Sequence, residues 1–360
     1  MGLGFGFAIT GMLIFGTCTS VSMKIMLQIK AAGYAGIVHN FDQPFTQSIL
    51  MFFGMMFSAL VSKCWDPENK GQRPPSGWRQ RVMVSIPSAF DLFASTLMTF
   101  GLIYINVSVF QMLRGSMVIF SVLFSIIFLR RKIKGYEWFG VALTVIALVM
   151  IGTAGIFIPP YGNDAESGED GQGRTTGEKV MGSLLVIASQ CVQAGQIVTE
   201  EFILSDVNLP ALEVVGWEGI WGMLMMIFIA FPFALICPGD KPSPFGKSLE
   251  NFMDSFIQLF TSGGIALTCG LFLIAVLFYN IFGMLVTSHS SAVFRTILEA
   301  ARTLLIWVVM LICAAAGSPF GEVWCSWSWL ELAGFIILVC SSFIYSGAWK
   351  LPFFTYPPPE

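Results

Sequence analysis

The sequence predicts an all-α polytopic membrane protein, with ten transmembrane helices arranged as two inverted five-helix repeats. Three observations carry this. Of the 360 residues 55% are hydrophobic and only 11% are charged, and the mean hydropathy is +0.76; a soluble core could not hide so much apolar surface. The apolar residues fall into stretches of about 20, the length that crosses a hydrocarbon core as a helix and satisfies its own backbone hydrogen bonds there. Those stretches divide five and five around the acidic, glycine-rich segment YGNDAESGEDGQGRTT.

In chain order, the stretch 3–24 lacks the basic leader of a cleaved signal and is expected to remain as a first span. Pro44 suits the first turn of the second, 44–62. Spans 83–104, 107–129 and 136–158 complete a first repeat, residues 1–158, and residues 159–178 read as a flexible acidic loop. The second repeat, 179–348, holds spans 179–203, 211–236, 263–286, 290–315 and 328–348; residues 349–360 form a short tail. Gly216, Gly219 and Gly222 flank Glu218 and mark a helix face that others approach closely. In the connection 237–262, Leu249, Phe252, Met253, Phe256, Ile257 and Phe260 recur at spacings of three and four. An amphipathic helix flat on the membrane surface is expected there, either against lipid or as a small lid on neighbouring helices.

Charge sets the orientation. One loop carries Lys63, Lys70, Arg73, Arg79 and Arg81, another Arg130, Arg131, Lys132 and Lys134. Basic loops stay in the cytosol, so both termini are expected there and the acidic loop on the other side. The eight cysteines are scattered without a CxxC pair, and His39 and His289 are far apart, so neither a metal nor another cofactor is expected. Cys237 and Cys325 fall near non-cytosolic helix ends, as a disulfide or as two thiols. No nucleophile, base and orienting group assemble into a catalytic set, which argues against an enzyme. No extended basic patch suggests nucleic-acid binding.

Charges inside the spans carry the functional expectation, because each costs at least about 2.5–3.5 kcal/mol in hydrocarbon. Arg114 lies in the fourth span; in the ninth, Arg295, Glu299 and Arg302 stand at i, i+4 and i+7 on one helical stripe. With an odd number of spans per half the second copy enters inverted, and Arg114 and Arg302 then reach similar depths, roughly 10 and 12 Å from the same surface. Two readings stand. The charges neutralise one another, Arg295 and Arg302 through Glu299 and Arg114 through Asp91, or the guanidiniums grip a carboxylate or phosphate of a solute. Gln111, one turn from Arg114, and Asn280, beside Tyr279 in the eighth span, are further candidate contacts. Asp91 and Glu218 are candidates for coupling or gating, and equally for interhelical glue. Gln190, Gln196, Glu200 and Glu201 line the sixth span, and the two glutamates, near its cytosolic end, read as a solvated helix end ahead of an inward-facing pair.

The stretches FDQPFTQS, PSAFDLFASTLM, SVFQMLRGSMVIFSVLF, QAGQIVTEEF, VVGWEGIWG, FYNIFGMLVT and FRTILEAARTLLIW cover nearly the whole chain. They resemble the drug/metabolite transporter superfamily and, within it, the F6-type branch of solute carrier family 35, related to nucleotide-sugar and chloroquine-resistance-type carriers. The resemblance implies the drug/metabolite transporter fold and a secondary carrier with its cavity between the repeats. It also implies substrate contact at Gln111, Arg114, Arg295, Glu299 and Arg302. The expected function is alternating-access transport of a small anionic organic solute across an internal membrane, lysosomal or vacuolar ahead of Golgi or mitochondrial. The alternatives are a nucleotide-sugar antiporter and a non-transporting subunit or scaffold of a membrane complex. The partners expected are the solute, the lipid bilayer, and a second copy or a membrane-complex subunit.

Overall fold

The computed structural model describes residues 3–33, 36, 38–41, 44–64, 77–104, 113–130, 132–157, 176–207, 209–236, 241–243, 246–248, 250–317 and 324–354. The first repeat gives α1 (Leu3–Gln28), α2 (Pro44–Met56), α3 (Ser58–Cys64), α4 (Trp78–Met83), α5 (Ser85–Tyr104), α6 (Met117–Ile127) and α7 (Gly135–Phe157). After it come α8 (Thr176–Ser205), α9 (Ala211–Met225), a π-helical turn at Met226–Ala230, α10 (Phe231–Ile236), α11 (Phe252–Thr261), α12 (Gly263–His289), α13 (Ala292–Ala315) and α14 (Ser328–Tyr345). Two short hairpins, β1 (Lys30–Ala32) with β2 (Val38–Asn40) and β3 (Lys241–Ser243) with β4 (Gly246–Ser248), are antiparallel.

The polytopic helical fold is the one the sequence predicts, but the described residues contain eight helical stretches long and apolar enough to cross a bilayer. They match the expected spans one, two, five, six, seven, eight, nine and ten. The expected third span forms α5, a 20-residue helix carrying Asp91. Of the fourth, residues 113–129 are described, with the 11 residues of α6 as its regular helix, and residues 105–112 are not. The second span breaks at Phe57, whose N–H bonds Gly54 O at 3.2 Å in a turn that separates α2 from α3.

The chain forms two compact units: Met1–Leu92 with Ile203–Ser288, and Phe93–Phe202 with His289–Glu360. Each draws on both halves of the sequence.

In the first unit α9 packs on α2 and α3. A Cβ at Gly216, Gly219 or Gly222 would run into Ala59, the backbone of Met55 and Met56, or the Phe52 ring, so the glycines set the approach. Ser58 Oγ donates to Leu212 O and Ser88 Oγ to Glu218 O, each at 2.9 Å. At the opposite end of α2, the Glu250 carboxylate accepts the N–H groups of Phe45 and Thr46, each at 2.8 Å, and so satisfies donors that the first turn of a helix leaves open.

In the second unit α7 lies along α14, and α13 packs on α14 and α6. Ala147, Trp307, Phe335 and Leu338 form one buried cluster, and the hydroxyls of Thr144 and Ser341 meet at 2.8 Å. A second cluster of Met117, Ala194, Ile197, Val198 and Ala292 joins α6, α8 and the start of α13.

Candidate functional site

The end of α8 and the beginning of α13 build a charged site inside the second unit. Ser291 is extended (φ −165°, ψ 160°), and its Oγ accepts the Phe294 N–H at 3.2 Å, which starts α13. Glu201 Oε2 accepts the Ala292 N–H at 2.7 Å, placing a carboxylate at the positive end of the same helix. The expected solvated role thus becomes, for Glu201, a cap that ties α8 to α13.

One turn into α13 is Arg295, buried, whose Nε donates to Glu299 Oε1 at 3.2 Å on the next turn. Its Nη1 donates to Glu200 Oε2 from α8. Glu200, only 1% exposed, also accepts Gln196 Nε2 at 3.0 Å, and Gln196 Oε1 accepts Gln193 Nε2 at 3.1 Å. A guanidinium has five donors and no acceptor, so two carboxylates can meet it at once. Beside this cluster Thr296 Oγ1 and Ser121 Oγ lie 3.1 Å apart, joining α13 to α6.

Arg114, Arg295, Glu299 and Arg302 all belong to this unit: Arg302 is buried two turns beyond Arg295, and Arg114 is half-buried in the turn before α6. Asp91, Glu218 and Asn280 belong to the other unit, Asp91 and Glu218 deeply buried. Asn280 Nδ2 donates to Val276 O of its own helix at 2.9 Å, a local bond. Gln111 and Cys237 lie outside the described residues, and Cys325 is a free thiol.

Glu200 is the correction the structure makes. Of the two readings the sequence allows for Glu200, the solvated helix end gives way: burial and an ion pair with Arg295, beside the expected one to Glu299, place it at the centre of the site. Gln193, Gln196 and Glu200, spaced by three and four in an otherwise apolar span, were the signal for an inward polar stripe. Such a site can exchange partners: an anion that displaced one carboxylate would keep the Arg295 guanidinium paired, and the released carboxylate would then need a proton or another cation.

Residues 2–153 match the EamA-like transporter family. The chain is 31% identical over 345 residues to human (Homo sapiens) solute carrier family 35 member F6, covering 93% of this chain and 87% of that protein. It is 30% identical to the mouse (Mus musculus) protein of the same name over 359 residues, covering 95% and 91%. A fission yeast (Schizosaccharomyces pombe) protein described as uncharacterised is 27% identical over 277 residues, 76% of each chain. One solved crystal structure is similar over 97% of this chain and 98% of its own, with a TM-score of 0.59 at 12% identity, a likeness of fold.

Proposed function

The chain belongs to solute carrier family 35, a family of membrane transporters, and on that premise we propose that it moves a small anionic organic solute across an internal membrane by alternating access. The observation that carries this reading is Arg295, held inside a membrane-spanning unit between Glu200 and Glu299. In the empty carrier one carboxylate balances the Arg295 guanidinium, and the second carries a negative charge that Arg302 on the same stripe can offset. A solute carboxylate or phosphate takes the place of one of them, forming the bidentate pair to which the fork of an arginine is suited.

Arg302 on the same stripe and Arg114 before α6 add the positive charge that attracts the anion, and Gln111 adds a hydrogen bond. Asp91 and Glu218 serve coupling or gating. Alternating access exposes the site to either side in turn, on the inverted relation of the repeats 1–158 and 179–348 that the sequence suggests. The Lys and Arg of the loops after the second and fourth spans favour cytosolic termini, and the lysosomal or vacuolar membrane is the favoured location.

The test is uptake of labelled organic anions (dicarboxylates, phosphate monoesters and nucleotide sugars) into liposomes holding the purified chain. Uptake of at least one is expected, with a loss of tenfold or more in Arg295→Ala, Arg302→Ala and Arg114→Ala variants that elute as the parent does. Undiminished uptake in all three variants would refute this site. No uptake of any anion, with a protein partner co-purifying in fixed ratio, would favour a scaffold instead.

A further inference from the structure

Helix α11 carries its polarity in reverse. Asp254, Ser255 and Gln258 are buried, whereas Met253, Phe256 and Phe260 are 60%, 62% and 79% exposed. The buried side is fixed by specific bonds. Gln258 Nε2 donates to Ala31 O of β1 at 3.2 Å. Asn251 caps the helix by accepting the Met253 N–H at 3.1 Å. Just before it, Glu250 holds the first N–H groups of α2, and Thr46 Oγ1 lies 2.8 Å from Ser255 Oγ. These partners fix the rotation of α11 about its axis, so the apolar ridge points away from its own unit.

The chain itself indicates what covers that ridge. Only Ser262 separates α11 from α12, one of the helices long enough to span a bilayer, whose Leu267, Leu271 and Ile274 are exposed at i, i+4 and i+7. That stripe is the side of a span that hydrocarbon covers. The other elements that α11 and Glu250 touch are β1 directly after α1, the first turn of α2, and α10 in the last part of its span, where the Phe231 and Phe252 rings meet edge to face. A polar face bonded to span ends and an aromatic ridge joined to a lipid-facing stripe have the character of an element at the headgroup and acyl boundary.

We propose that α11 is an in-plane membrane anchor whose occupant is lipid, with Met253, Phe256 and Phe260 entering the acyl boundary of one leaflet. Through Glu250 and Gln258 it holds the β1–β2 hairpin and the start of α2 at the bilayer surface. The inference rests on the membrane setting of the chain and not on what it carries.

Photo-crosslinking tests it in the full chain reconstituted in phosphatidylcholine vesicles, with Phe256→benzoylphenylalanine and, separately, Phe260→benzoylphenylalanine. Mass spectrometry should find a phospholipid adduct at both positions. The same probe at Gln258, on the buried side, should react only within the chain. A covalent dimer from position 256 or 260 would assign the ridge to a second copy and overturn the proposal. So would the absence of lipid adducts at both positions in a protein that still reacts at Gln258.

Discussion

A guanidinium in an apolar helix persists only where other charges meet it, and Arg295 meets two. Removing one member of a buried pair leaves its partner uncompensated at a cost of about 3–5 kcal/mol. Glu200→Ala should therefore lower the melting temperature in detergent clearly, toward the smaller end of that range because Glu299 remains. The Glu200→Ala/Arg295→Ala pair should destabilise by less than the sum of the single changes, since contacting residues are not additive. Parental melting of Glu200→Ala would mean that the ion pair carries no stability. At this scale the sequence disclosed what lies within one helix. Arg295 and Glu299 are an i, i+4 pair and were readable by spacing, whereas Glu200 stands 95 positions away and only the packing of α8 on α13 delivers it.

At the scale of elements, glycines show how one residue type has opposite effects by context. Gly219 faces backbone of α2, while a Cβ at Gly270 in α12 would meet nothing within 4 Å. Gly219→Ala should destabilise by about 1–3 kcal/mol through overpacking. Gly270→Ala should be neutral or stabilising by up to about 1 kcal/mol, the helix propensity difference. Thermal denaturation of both variants decides the matter, and equal shifts would show that α9 does not close on α2 as described. Most helices were legible because lipid as solvent demands long apolar runs. The hairpins were not, since strands of three residues carry no alternation to read. The period of α11 was legible, but which side faces inward depends on Glu250, Gln258 and the partners that they find elsewhere in the chain.

At the scale of the molecule, each compact unit is assembled from two separate stretches of chain. The repeat read from the sequence ends near residue 158, so a fragment of residues 1–158 holds the first stretch of one unit and part of the other. Expressed alone, that fragment should aggregate or elute broadly on size exclusion, and co-expression with residues 159–360 should restore a single sharp peak. A well-behaved 1–158 fragment would show that the units are not the cooperative ones. Hydropathy does not reveal this interleaving, because it records how apolar a span is and not which span it packs against.

The same interleaving sets a schedule during synthesis. Residues 1–92 leave the ribosome first, yet the helices that complete their unit, from Ile203 to Ser288, are made only after residues 93–202. The glycine-lined meeting of α2 with α9 therefore forms late, and until then the nascent α2 waits in the translocon or in lipid with that side uncovered. A pause or truncation in that interval would present quality-control proteases with an unfinished unit, so an early nonsense change should yield rapid clearance instead of a half-working carrier.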